Sequence, residues 1–118
     1  VSKEKVSKGR FGEDEAVEYL KSNGYSILER NFRIRLGELD IIAKKENRIY
    51  GIEVKYREDL SHDFHPIQMM TYHKISKMKL AMETYIVNKG NLSSVDISFC
   101  LITVDQKGKV DFYSDLSN

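Results

Sequence analysis

The chain has 118 residues, 41% hydrophobic and 31% charged, with a formal net charge of +1. This is one domain's length, and the balance is that of a soluble globular chain, not a disordered one. A near-neutral charge excludes a strongly basic scaffold, so a polyanionic partner would have to meet locally gathered positive charge.

A single domain over 1–118 is expected, large enough to bury a core without disulfides. The one cysteine, Cys100, cannot form an intrachain disulfide. It lies in the apolar run Phe99-Cys100-Leu101-Ile102, where a buried inert thiol is expected, and such usage fits a reducing cytoplasm. No apolar run approaches the length of a membrane span, and no apolar stretch follows Val1-Ser2-Lys3-Glu4-Lys5 as a signal peptide requires, so no membrane partner is expected.

The first periodic segment predicts a helix from about Lys8 to Lys21, with Ser7 as its cap and Gly24 as its stop. Ala16, Val17 and Leu20 recur at helical spacing and define its buried stripe. Continued backwards, that stripe meets Glu13, Gly12 and Gly9, while Asp14 and Glu18 fall on a solvated side. Tyr25 to Arg33 reads as a strand leading into a basic stretch. Glu38 to Lys44 and Ile49 to Tyr56 are strands rich in Ile, Leu, Val and Tyr, joined by a hairpin turn at Lys45-Glu46-Asn47-Arg48. Arg57 to Pro66 has no periodicity and reads as a loop. Ile67 to Val87 is helical again, with the stripe Ile75, Met78, Met82 and Tyr85 and an end at Asn88 and Gly90. Val95 to Val104 is a long apolar strand, and Gln106-Lys107-Gly108 turns it into a last strand, Val110 to Tyr113. The order α-β-β-β-α-β-β predicts an α/β fold, a mixed central sheet with helices packed on it.

The central hairpin holds the candidate chemistry. Residues two apart on a strand share a face, so Glu53 and Lys55 lie together while Ile52 and Val54 point to the core. A turn centred between Glu46 and Asn47 sets Lys44 opposite Ile49 and, in the same register, Asp40 opposite Glu53, with Cβ atoms ~4.5–5.5 Å apart. Facing carboxylates repel, and the pair makes sense with a cation between them; hard oxygen ligands suit Mg²⁺ or Mn²⁺. Lys55 would then stand beside the ion and an attacked phosphate, and Glu13 could serve as an outer ligand or base. A Glu-x-Lys on a strand is also common on solvated faces, and an Asp at a strand end is often a turn former. Spacing alone leaves a metal site and a salt-bridged face both open.

Arg30, Arg33 and Arg35 precede Asp40, Arg57 follows Lys55, and Lys74, Lys77 and Lys79 accompany Tyr72 and His73 on the second long helix. Beside a carboxylate–metal site these would contact phosphates, which position a nucleic acid without reading its sequence; taken alone, the helix lysines suit an ordinary charged surface. His62, His65 and His73 match no zinc spacing, and no glycine-rich phosphate loop is present. Tyr19, Met78, Met82 and Tyr85 read as core.

Together these segments resemble a known family. Gly9-Arg10-Phe11-Gly12-Glu13-Asp14-Glu15-Ala16 is similar to the Gly-x-x-Gly-Glu-x-x-Ala helix of the uncharacterised bacterial family called YraN-like (UPF0102). Asn31-Phe32-Arg33 with Gly37-Glu38-Leu39-Asp40-Ile41-Ile42-Ala43 resembles its Asn-aromatic-Arg and Gly-Glu-Ile-Asp-Leu-Ile stretches, and Ile52-Glu53-Val54-Lys55-Tyr56-Arg57 its Val-Glu-Val-Lys-x-Arg strand. Lys74, Ala81, Tyr85 and Asp96 fall where it has a Lys…Ala…Tyr helix and an aromatic-Asp-Val strand. Leu39, Tyr56 and the His- and Met-rich segment Asp59 to Met70 depart from the pattern.

That family resembles archaeal Holliday junction resolvases and, with them, the PD-(D/E)xK nucleases. The resemblance implies a restriction-endonuclease-like fold and a Mg²⁺- or Mn²⁺-dependent endonuclease acting on DNA, branched DNA such as Holliday junctions included. By it Asp40, Glu53, the Val54 carbonyl and Glu13 would hold the ion, and Lys55 would act on the phosphate. Arg33, Arg35, Arg57, Lys74 and Lys77 are the candidate nucleic-acid contacts. Concerted cutting of two strands would call for a homodimer, although no dimer surface is legible. The alternatives are a nucleic-acid-binding module that does not cut by itself, and a protein-interaction domain on a nuclease fold.

Overall fold

The computed structural model describes residues 3–58, 66–90, 94–114 and 116. In chain order these form helix α1 (Lys3–Ser22), strands β1 (Ser26–Ile34), β2 (Gly37–Lys45) and β3 (Arg48–Arg57), a 3₁₀ turn (Pro66–Met69), helix α2 (Tyr72–Lys89), and strands β4 (Asp96–Asp105) and β5 (Val110–Tyr113). The α-β-β-β-α-β-β order is the expected one. The five strands make one sheet in the order β1-β2-β3-β4-β5. All neighbours are antiparallel except β3 and β4, which run parallel from Arg48↔Asp96 to Arg57↔Asp105. A parallel pair needs a long crossover, and α2 provides it. The architecture is compatible with a restriction-endonuclease-like fold.

The two helices cover opposite faces of the sheet, which follows from strand alternation. Ile41, Ala43, Ile52, Cys100, Ile102 and Val104 pack with Ala16, Val17 and Leu20 of α1. Leu39, Ile42, Ile49, Phe99 and Leu101 pack with Met78, Ala81, Met82 and Tyr85 of α2. With both faces covered, β4 is buried from Ser98 to Val104, as expected of a strand inside a two-sided sheet. Among the described residues, no helix is long and apolar enough to cross a membrane.

Several boundaries differ from the sequence reading. Helix α1 begins at Lys3, so Ser7 lies inside it; good helix formers such as Lys and Glu extend a helix without an apolar signal. Gly12 is buried, with Tyr56 Cβ 3.4 Å from where its own Cβ would stand, whereas Gly9 faces open space. Only one of the two glycines therefore belongs to the packed face. Helix α2 starts at Tyr72 and not Ile67, because Thr71 caps it: the Lys74 N–H donates to Thr71 Oγ1 at 3.2 Å, as a preferred N-cap residue does. Pro66 to Met69 form a separate 3₁₀ turn. Arg57 closes β3, where a loop was expected to begin. The rest of that expected loop, from Asp59 to His65 and including His62, lies outside the described residues.

One contact sets how closely α2 approaches the sheet. A Cβ on Gly37 would overlap the Lys77 carbonyl oxygen and come within 2.9 Å of its carbon. Both groups are backbone, so neither can swing aside. At Gly51, by contrast, the neighbours are the ends of side chains: Leu39 Cδ2 and Met82 Cε at 3.0 Å and Phe99 Cδ1 at 3.1 Å. Gly37 therefore lets the first two turns of α2 lie directly on the β1–β2 turn. Gly37→Ala is expected to lower unfolding stability by about 1–3 kcal/mol through overpacking. Gly9→Ala, in open space inside α1, is expected to raise it by roughly 0.5–1 kcal/mol. Urea unfolding of the two variants beside the wild type checks both signs.

Candidate metal centre and the groove beside it

The β2–β3 register is the one read from the sequence: Lys44 faces Ile49, and the ladder runs to Ile41↔Ile52. There the backbone pairing ends, at the step where Asp40 and Glu53 would come next. Leu39 and Ile42 are three residues apart yet pack in the same cluster against α2, so strand alternation slips at Asp40. The Asp40 side chain takes over where the ladder stops, and the Val54 N–H donates to Asp40 Oδ2 at 2.8 Å. A carboxylate thus replaces a main-chain carbonyl, tying the two strands together beside Glu53 and Val54.

Glu53 lies in the middle of β3 and is only 5% exposed. Two ammonium groups meet its Oε2: Lys74 Nζ of α2 at 2.5 Å and Lys55 Nζ of β3 at 3.3 Å. Burial pushes the Asp40 carboxyl up to about 7, helped by the negative charge of Glu53 and a hydrogen bond shared with it, and, least, by Glu13. The Val54 N–H partly offsets these effects. Burial also works against the charge on Lys74, but its hydrogen bond and attraction to Glu53 prevail and raise its pKa.

Glu13 reaches this neighbourhood from α1, on the opposite face of the sheet. Its Oε1 accepts from Arg30 Nε at 3.0 Å and Asn31 Nδ2 at 2.9 Å. Arg30 also binds Asp14 at 2.6 Å, so Asp14 is exposed but engaged. Asn31 holds its position with a left-handed backbone, φ 54°, which an Asn tolerates better than most residues. Among the described residues no three His, Cys, Asp or Glu side chains gather closely enough to form a ready-made metal cage. Asp40 and Glu53 do come together, with the Val54 backbone between them. Two hard oxygen donors whose charges oppose each other fit a hard divalent cation, which would relieve that repulsion and leave further positions to water or substrate.

Beside Glu53 opens a groove of about 590 Å³. Arg33, Arg35, Leu36 and Gly37 line it from the β1–β2 side, and Thr71, His73, Lys74 and Lys77 from α2. Four of the five candidate nucleic-acid contacts therefore share one concavity. The fifth, Arg57, lies further along β3 and outside the lining. Arg33 pairs with Glu38 at 3.3 Å at the rim. Sequence reasoning placed Lys74 among surface lysines and did not foresee its contact with Glu53. Helical spacing sets Lys74 one turn before Met78, in line with the buried stripe, but the partner it meets there depends on where α2 lies on the sheet. The hold of Arg30 and Asn31 on Glu13 was also unforeseen, because it depends on how β1 crosses α1.

The sequence profile of the uncharacterised protein family UPF0102 matches residues 12–104. The chain belongs to that family. The matched range includes Glu13, Asp40, Glu53, Lys55 and Lys74. A UPF0102 protein of Clostridioides difficile is 41% identical over 97 residues, covering 82% of this chain and 83% of the relative. One from Dictyoglomus turgidum is 36% identical over 112 residues, 93% of each chain. One from Clostridium botulinum is 44% identical over 96 residues, 81% of this chain and 77% of the relative. The matched range thus covers β1 to β3, β4 up to Val104, and the candidate centre.

The raised pKa of Asp40 is a statement about stability. A carboxyl whose folded pKa exceeds its unfolded one favours folding below the unfolded value, and that contribution disappears as pH rises through the folded value. Ion-free wild type should therefore lose stability between about pH 4 and pH 8 relative to Asp40→Asn, which keeps an acceptor for Val54 but carries no charge. At pH 8 with a chelator present, Asp40→Asn is expected to be the more stable by a few kcal/mol, and near pH 4 the two should coincide. Denaturant unfolding across that pH range measures the difference.

Proposed function

We propose that this chain is a Mg²⁺- or Mn²⁺-dependent endonuclease that hydrolyses phosphodiester bonds in DNA, with branched DNA such as Holliday junctions among its candidate substrates. The observation that carries the reading is the Asp40–Glu53 carboxylate pair, with Lys55 beside it, whose Glu53 lines a groove together with Arg33, Arg35, Lys74 and Lys77. The resemblance of the sequence motifs to PD-(D/E)xK nucleases points the same way. Asp40, Glu53 and the Val54 carbonyl are the residues that would hold the ion, with Glu13 as a more distant carboxylate. Bound there, such an ion supplies Lewis-acid activation of the phosphodiester toward water.

The chain's own groups divide the remaining work. Lys55 Nζ, close to Glu53 and partly exposed, can donate to a phosphate oxygen as negative charge builds on it. The groove cations attract the backbone of a nucleic acid and fix its position along the groove without reading bases. Asp40, anchored by the Val54 N–H, keeps one oxygen oriented beside Glu53. Burial of Glu53 limits water on that side, which strengthens every charge interaction there.

A second reading, a nucleic-acid-binding module without cleavage of its own, is favoured by one observation: Glu53 is already paired with two lysines. The test separates the two. Linear, flapped and four-way-junction DNAs are incubated with wild type and variants in Mg²⁺ or Mn²⁺. Asp40→Ala and Glu53→Ala are expected to lose both ion binding and cleavage. Lys55→Ala is expected to keep the ion and lose about 10²–10³-fold in rate. Cleavage retained in Asp40→Ala would overturn the nuclease reading, and binding without any cleavage would favour the module. In either case Arg35→Ala and Lys77→Ala should weaken DNA binding and reduce its salt dependence, by about one phosphate contact each in the salt slope.

A further inference from the structure

Lys74 stands where two parts of the molecule meet. Its ammonium lies 2.5 Å from Glu53 Oε2, inside the candidate centre. The same side chain lines the groove with Arg33, Arg35 and Lys77. Its side chain is 33% exposed and that of Glu53 is 6% exposed, so the pair spans from the buried centre to the open groove. Lys55 approaches the same oxygen from the same strand at 3.3 Å, so the shorter and more enclosed contact is the one from α2. A buried carboxylate needs a compensating charge, and Lys74 provides one.

The surrounding structure confines any adjustment to the side chain. The N-terminus of α2 is capped by Thr71, and its next turn rests on Gly37 through the Lys77 backbone. The cap keeps the first turn of α2 intact and the Gly37 contact keeps it close to the sheet, whereas four rotatable methylenes let the ammonium move from Glu53 to a neighbouring groove position. A backbone phosphate held there by Arg35 and Lys77 would offer it an anion of equal charge and a wetter environment.

Resting on the function proposed above, we propose that Lys74 is an internal counter-ion that competes with the divalent cation for Glu53 and is drawn away by phosphate in the groove, so that polyanion binding and ion loading reinforce each other. Lys74 is in this sense a positioning residue acting through Glu53. Linkage requires the effect to be reciprocal: whatever factor the polyanion adds to ion affinity, the ion adds to polyanion affinity.

The experiment measures Mn²⁺ affinity by titration calorimetry at fixed ionic strength, in wild type, Lys74→Gln, Lys74→Arg and Lys77→Gln. Each is measured alone and with a cleavage-resistant phosphorothioate oligothymidylate. Without the oligonucleotide, Lys74→Gln is expected to bind Mn²⁺ about tenfold more tightly than wild type, a usual size for such coupling. Lys74→Arg, which restores a cation at Glu53, is expected to match wild type. Lys77→Gln removes the same charge from the groove but not from Glu53, and its change should be clearly smaller. The oligonucleotide should tighten Mn²⁺ binding in wild type and do so much less in Lys74→Gln. A misfolded variant would bind more weakly, so a gain in affinity cannot come from structural damage. Equal affinities in Lys74→Gln and wild type, or equal gains in Lys74→Gln and Lys77→Gln, would overturn the counter-ion while leaving the ion site standing. No Mn²⁺ binding in any of the four proteins would overturn both the counter-ion and the ion-dependent function it rests on.

Discussion

A carboxylate buried to 5% exposure in the middle of a central strand must be compensated, and the structure around Glu53 follows from that requirement. Its compensation comes from two directions, along β3 from Lys55 and across from α2 through Lys74. The second route works only because α2 lies hard against the β1–β2 turn, which in turn requires Gly37 to have no side chain. The small residue in Gly37-Glu38-Leu39-Asp40 therefore serves the centre from outside it.

Asp40 solves a related problem in a different way. Backbone pairing of β2 and β3 stops at Ile41 and Ile52, and the side chain of Asp40 takes the next N–H, that of Val54. The strands stay joined while the space between them changes from main chain to carboxylate. The arrangement leaves Asp40 costly to ionise, since burial and Glu53 both oppose its charge. Strain of this kind at one or two residues, in an otherwise consistent sheet, is what a functional site imposes on a fold. Glu13 completes the picture from the other face, held by Arg30 and by an Asn31 in a left-handed conformation.

Element order, strand identity and the hairpin register could be read from periodicity because they are local. Lys44 opposite Ile49 follows from a turn at Glu46-Asn47, and the same counting brings Asp40 to Glu53. Counting could not show that the ladder ends one step earlier, since the slip at Asp40 depends on Leu39 packing against α2. Helix α1 runs past Ser7 because favourable propensity extends a helix where no apolar stripe marks it. Helix α2 starts at Tyr72 because Thr71 caps it, a boundary that the apolar periodicity from Ile67 onward does not mark. The Lys74–Glu53 pair and the grip of Arg30 on Glu13 join residues 21 and 17 positions apart in sequence, on elements whose relative placement only the tertiary fold decides. Position along a helix shows that a lysine is on its surface; it does not show what that surface covers.

The energetics of Glu53 bear on why the centre exists at all. A buried ion pair seldom stabilises a fold beyond what well-packed apolar residues of similar size would provide, because desolvation consumes most of the attraction. The strand neighbours Ile52 and Val54, together with Phe99 and Leu101 of β4, show that this sheet readily accepts apolar side chains on both faces. Folding alone would therefore be served at least as well by another Ile or Leu at position 53 and by a neutral residue at position 40. Instead the chain places two carboxylates together, raises the cost of ionising one, and covers the other with a lysine that also faces an open basic groove. Burial and the neighbouring Glu53 both oppose ionisation of Asp40 in the ion-free protein, a cost that a divalent cation between the two carboxylates would relieve. Packing alone gives no reason for this arrangement, which is what makes it the candidate site of the fold.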